Sequence, residues 1–189
     1  YWDAERGWKW QRPNLFCTNE DLFTQTIVVP YLIPMLQNAG AIVFTPRERD
    51  WQQQEIIVDN NDRKSISYIE VDNSKKWKDC DSLGFANAKT LYSDGENPFT
   101  MGTVRQAKAT KKKKKYSLVS YQPKFKEAGK YAVYVSYQTL PKSVPDAKYI
   151  VYHKGQATEF TVNQRMGGGT WVYLGTFDFD KGCNEFNRV

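Results

Sequence analysis

Histidine is almost missing from this chain: one, His153, stands among 189 residues. A catalytic zinc usually takes three protein ligands, commonly two or more of them His. A Ser-His-Asp arrangement would have to draw on the same ring. Both chemistries are therefore poorly supplied, and the expected role of His153 is a packed or exposed ring at a strand end. Cysteine is scarce too. Cys17, Cys80 and Cys183 show no CxxC spacing, which argues against a structural zinc site. Their number is odd; a Cys80–Cys183 bridge and free thiols are the two readings, with free thiols expected. No apolar run reaches the roughly 18 residues that mark a membrane span. No P-loop or dinucleotide fingerprint occurs. Gly167-Gly168-Gly169 precedes a strand-like run, so it reads as a hairpin turn and not as a phosphate cradle at a helix start. No recognisable leader opens the chain, which begins at Tyr1-Trp2. It reads as a mature or trimmed fragment, so the missing leader does not argue for the cytoplasm.

An evenly spread basic surface is also lacking. The net charge is +6, but Arg105, Lys108 and Lys111 to Lys115 supply seven positive charges within eleven residues that hold no acid; without them the chain stands at −1. The excess is one local run, which is ordinarily a solvated loop or a blunted strand edge, with contact to an anionic polymer or surface as the alternative reading. Nucleic acid is not an expected partner.

What is present is aromatic and alternating. Phe, Trp and Tyr make up 15% of the chain and hydrophobic residues 40%, enough for a core and favouring strands. The stretch from Lys130 to Phe179 organises the rest. GKYAVYVSYQ, AKYIVYHKGQATEFTVNQ and MGGGTWVYLGTFDF each alternate, as half-buried strands do. Tyr131, Val133, Val135 and Tyr137 share one face, which is expected to be buried, leaving Tyr134 outward. On the last run Trp171, Tyr173, Phe177 and Phe179 share a face with Gly175, while Val172 and Leu174 point the other way. Strands of this kind joined by Gly turns predict an antiparallel sheet burying one face against a second sheet.

The first third reads differently. Residues 1–16 place three Trp among charges and predict a loop that packs its rings on a neighbouring domain. Residues 18–39 carry apolar positions near a 3.6 period, with Thr18, Glu20 and Asp21 suited to a helix start and Gly40 to its end. Pro30 and Pro34 oppose a straight helix, so a bent one or two short ones are expected. Ala41 to Phe44 reads as a short buried strand. A helix followed by a buried strand is α/β grammar. After a boundary near Gln54, short strands are expected at 55–59, weakly over 65–71, and at 116–121; residues 91–104 read as turn chemistry.

Two resemblances follow from quoted residues. GKYAVYVSY, YIVYHKG, TEFTVNQ and GGGTWVYLGTFDF resemble, in order, the strands of the golvesin / xanthan-lyase carbohydrate-binding-like domain, a bacterial β-sandwich module. NEDLFTQTIVVPYLIPMLQNAGAIVFTPRERD resembles part of the zinc-dependent N-acetylmuramoyl-L-alanine amidases, with an extra Pro46 inside the Thr-Arg motif. Together they imply a mainly β chain: an amidase-like α/β fragment over 1–54, with its helix at about 18–39 and strand at about 41–44, and a golvesin-like antiparallel β-sandwich over 55–189. The second resemblance puts Glu20 where the amidases carry a glutamate zinc ligand, with the His ligands outside this chain and zinc held only in a full-length parent.

The expected function is a non-catalytic carbohydrate- or cell-wall-binding module of a secreted or cell-envelope protein. Its partner would be a polysaccharide or a peptidoglycan glycan, and the isolated chain would need no cofactor. Tyr134 and Trp171 are the candidate glycan-stacking rings, although packing competes for Trp171; no catalytic residue is named. Two alternatives stand beside this. One is part of an active zinc-dependent peptidoglycan amidase completed elsewhere. The other is a structural β-sandwich that binds protein.

Overall fold

The computed structural model describes residues 2–3, 7–8, 20–43, 54–61, 66–73, 75–89, 92–93, 96–111, 115–184 and 186–189. Two compact units divide the chain: Tyr1–Gln53 with Leu91–Asn97, and Gln54–Thr90 with Pro98–Val189.

In the first unit, Trp2–Asp3 (β1) and Gly7–Trp8 (β2) pair antiparallel, with Trp2 opposite Trp8. A loop was expected there. Glu20–Ile27 (α1), a π-helical turn Val28–Leu32 and Ile33–Asn38 (α2) then form one helical run. The widened middle turn is the answer to Pro30 and Pro34. Proline cannot donate the α-helical bond, and its ring crowds the carbonyl four residues back; a π turn relaxes that crowding. The run closes as the sequence suggested. Gly40, at φ +87°, donates to Gln37 O at 3.0 Å, and Ala41 donates to Leu36 O at 3.0 Å, the paired closure of a Schellman motif. The strand expected at 41–44 does not form over 41–43, and Phe44 lies outside the described residues. A strand needs a neighbour for its amides, and Ile42 is instead 83% exposed.

The second unit is built of antiparallel pairs. Its strands are Tyr68–Val71 (β3), Lys78–Gly84 (β4), Gly102–Gln106 (β5), Leu118–Tyr121 (β6), Gly129–Val135 (β7), Ala147–His153 (β8), Gln156–Val162 (β9) and Val172–Phe179 (β10). β3 pairs with β6, β4 with β5, β7 with β10, and β8 with β9. The protein is thus mainly β, with few helical residues. Two expectations need correcting. Residues 55–59 form no ladder, although Ile56 packs on the core. The end of the stretch read as turn, from Gly102 onward, is β5, held against β4.

The pairing order follows from the turns. Lys154 (φ 42°) and Gly155 (φ 74°) make a two-residue turn with both residues left-handed, which suits the twist of a tight hairpin and joins β8 to β9. This hairpin is inserted between β7 and β10, which pair with each other. The last residues then stitch the pairs together. Val189 exchanges backbone bonds with Tyr121 of β6 (2.8 and 3.0 Å), and Arg188 with Tyr152 of β8 (2.8 and 3.2 Å). Asn187, fully buried, donates from Nδ2 to Asp180 O at 3.0 Å and so anchors this segment beneath β10.

The core lies where these pairs meet. Phe125, Val151 and Phe179 are buried together, and Tyr131, Val133, Phe160, Leu174, Phe177 and Val189 pack around them. Phe125 and Phe179 stack with ring centroids 4.5 Å apart. The inward face expected for β7 is the one observed: Tyr131 and Val133 pack on this core and Val135 is buried. A charged knot ties three further strands. Arg105 of β5 forks onto Glu70 of β3, with both bonds at 2.6 Å, and meets Asp79 of β4 at 3.0 Å. Tyr68 donates to Glu70 at 2.5 Å.

Candidate functional site

Alternation places Tyr134 on the outer face of β7, since its neighbours Val133 and Val135 face the core. Its cross-strand partner is Tyr173 of β10. The ring centroids lie 5.3 Å apart, tilted by 46°, and the Tyr173 hydroxyl is 2.8 Å from Thr176 Oγ1. The register next sets Thr176 opposite Ala132 and Asp178 opposite Lys130 along the same face. Two rings, a hydroxyl and two charges of opposite sign thus line one side of a hydrogen-bonded strand pair.

An unbroken alternation would put Tyr173 on the same face as Phe177 and Phe179, the core side, with Leu174 outward. The structure reverses both. The register shifts between Tyr173 and Gly175, so Leu174 is the extra residue of a bulge. Such an insertion exchanges the faces on its two sides. Tyr173 turns outward, 40% exposed, while Leu174 joins the core along with Phe177 and Phe179. The sequence did carry a signal, a glycine inside an otherwise unbroken strand pattern. At Gly175 an added Cβ would stand 2.7 Å from Phe177 Cζ.

Trp171 is brought elsewhere. Half-buried, it packs 4.7 Å from Phe85 and 5.7 Å from Phe99, which are themselves 5.4 Å apart. The structure does not bring it to Tyr134. The glycines before it fold back on the end of β7: Gly169 donates to Tyr137 O at 2.8 Å and Gly168 to Thr139 Oγ1 at 3.2 Å.

The remaining candidates can be placed in turn. His153 ends β8; its ring lies 4.7 Å from that of Phe177, and Nε2 is 3.0 Å from Thr158 Oγ1. Glu20 opens α1, and its side chain lies outside the described residues, as does Cys17. Cys80 and Cys183 are free thiols with no bridge between them. Among the described residues no three His, Cys, Asp or Glu side chains come together as metal ligands, so they do not fit a zinc site. No described helix is long and apolar enough to cross a membrane, which says nothing of a β-barrel.

Burial shapes the tyrosines behind this scaffold. It pushes the Tyr149 phenol up to about 12, partly offset by the bond that Gln164 Nε2 donates to it at 2.8 Å. Tyr121 is raised by burial, and Tyr68 by burial and by its bond to Glu70.

Residues 56–187 match the family model of the Golvesin C-terminal domain. The match covers most of the chain, and the chain belongs to that family. Nothing among curated proteins or solved structures matches it.

Proposed function

We propose that this member of the Golvesin C-terminal domain family is a non-catalytic glycan-binding module that holds its ligand on Tyr134 and Tyr173. The observation that carries the reading is that outward ring pair, set by paired backbone next to Thr176, Lys130 and Asp178. Sugar rings offer C–H faces for stacking and hydroxyls for directional bonds, and this face supplies partners for both. Family membership supports a binding-type module in general; the glycan and cell-wall polymer are the finer step. In this reading the β pairs close as a β-sandwich, and the protein works outside the cell or in its envelope, attached to a larger amidase-like parent in which Glu20 would be a zinc ligand. Trp171 enters as a rim residue, with its packing on Phe85 and Phe99 as its main role.

The test is a pull-down with insoluble peptidoglycan and titration calorimetry with soluble glycan fragments. Tyr134→Ala and Tyr173→Ala are each expected to weaken binding by about 0.5–1.5 kcal/mol, the worth of one ring contact beyond its area. Melting temperature should hardly move, and salt should have little effect. Binding that survives both substitutions undiminished would refute this assignment.

A protein-binding reading is favoured by one observation. In the first unit Phe23, Tyr31 and Met35 are 53%, 64% and 68% exposed along α1, the π turn and α2.

A further inference from the structure

The lysine run has a second half that only the fold reveals. β3 pairs with β6 and β4 with β5, so the β3–β4 loop and the β5–β6 loop emerge at the same end. Val71 faces Leu118 where the two loops meet one pair, and Lys78 faces Gln106 where they meet the other. The loops are bonded to each other. Asn73 N–H donates to Ser117 Oγ at 3.1 Å, Ser117 Oγ donates to Lys75 O, and Trp77 Nε1 donates to Leu118 O at 3.0 Å. Residues 72–78 and 107–117 hold nine Lys and one acid, Asp72, a surplus of +8 in a chain whose net charge is +6. Of these lysines, the described ones, Lys75, Lys76, Lys78, Lys108, Lys111 and Lys115, therefore gather at this end.

The nearby acids do little to offset it. Asp72 Oδ1 accepts from Trp77 N–H at 2.8 Å, and Glu70 and Asp79 are held by Arg105. Asp81, further along β4, is the exposed exception. Lys75, Lys76, Lys78, Lys108, Lys111 and Lys115 are all exposed. Lysines crowded onto two adjoining loops repel one another, a cost to the folded state that a counter-charge removes.

We propose that Lys75, Lys76, Lys78, Lys108, Lys111 and Lys115 form one docking surface for an acidic polysaccharide, independent of the Tyr134 face. The residue types choose the partner. Single-stranded nucleic acid is held by rings that stack on bases and by Arg. Here Arg105, the one Arg of β3 to β6, is committed to Glu70 and Asp79, and the Trp77 indole is committed to a backbone carbonyl. What is left is a set of exposed ammonium groups on flexible stems, with a single ring more than half exposed among them, Tyr116. They suit a polymer that carries separate carboxylates and no bases.

The probe is polygalacturonate, with dextran as the neutral control and a single-stranded oligonucleotide and anionic vesicles at matched charge as competitors. The full chain is expected to bind polygalacturonate and not dextran, with affinity falling steeply as salt rises. K75Q/K76Q/K78Q and K108Q/K111Q/K115Q are each expected to weaken binding about tenfold at low salt and to flatten the salt dependence. Thermal melts of both triple variants check that the fold is kept. Tyr134→Ala should leave this binding intact, so the two sites fail separately. The proposal is overturned if polygalacturonate does not bind at low salt, if K75Q/K76Q/K78Q binds as well as the parent, or if the oligonucleotide or vesicles bind more tightly than polygalacturonate.

Discussion

Alkaline pH should open this fold through three tyrosines. An unfolded tyrosine releases its proton near 10, whereas burial holds Tyr149 to about 12. Below pH 10 both states keep the proton and stability is complete. Above it the unfolded chain ionises first, so the folded state loses ground until Tyr149 itself titrates. The loss follows from linkage at about 1.4 kcal/mol per pH unit, or roughly 2.7 kcal/mol for Tyr149 by pH 12. Tyr68 and Tyr121, raised in the same direction, add to this loss. Against a typical total of about 5–15 kcal/mol, the Tyr149 share alone is large. Stability is therefore expected to fall from about pH 10 upward, with unfolding on the alkaline side of that point. The measurement follows tyrosinate absorbance and far-ultraviolet circular dichroism on one sample, and the late absorbance step should coincide with loss of the strand signal. Tyr149→Phe should make the slope shallower, at a cost near neutrality of about 1 kcal/mol for the bond Gln164 loses. Complete ionisation of the tyrosines near pH 10 with the strand signal intact would refute the reasoning.

Three further outcomes are expected. Phe179→Ala removes a ring that is 1% exposed and stacked on Phe125, and should cost about 3–5 kcal/mol in a urea melt; a loss below about 1 kcal/mol would mean that the core is not where the structure puts it. Gly102→Ala would set a Cβ 1.8 Å from Phe85 O, against backbone, and should abolish cooperative unfolding. Gly155→Ala meets nothing within 4 Å and pays only for its left-handed φ of 74°, about 1 kcal/mol. Equal melts for the two variants would contradict the close strand approach. Glu70→Gln should cost about 1–3 kcal/mol by stripping Arg105 of its forked partner, and Arg105→Met in the same background should then add little.

The legible parts of the fold were those where side chains alone report burial. Alternation in β7 showed which side faces the core, because Tyr131 and Val133 pack on Phe125, Val151 and Phe179, and Val135 is buried. The close of the helical run was legible from Gly40, since a left-handed C′ position favours glycine for local reasons. Pairing was not legible. Alternation fixes a face and is silent on the neighbour, so nothing in GKYAVYVSY revealed that β10 lies beside it and not β8. β4 gave no pattern at all. In Lys78–Gly84 the one large apolar residue, Leu83, is 60% exposed, and the strand is held by its ladder to β5 and by Asp79 on Arg105.

The candidate site turned on a single inserted residue. Period-two counting carries a face along a strand only while the ladder is unbroken, and Leu174 breaks it. Up to Tyr173 the count runs in step with Tyr134; beyond Gly175 it runs in step with the core. A reading that counts through the bulge buries Tyr173 and exposes Leu174. It thereby hides the ring that meets Tyr134. The lysine surface was hidden for a different reason. Lys75, Lys76 and Lys78 lie 30 or more positions from Lys108, and only the pairings β3–β6 and β4–β5 bring their loops to one end. Both sites thus depend on strand register, which long-range backbone bonds fix and local pattern does not.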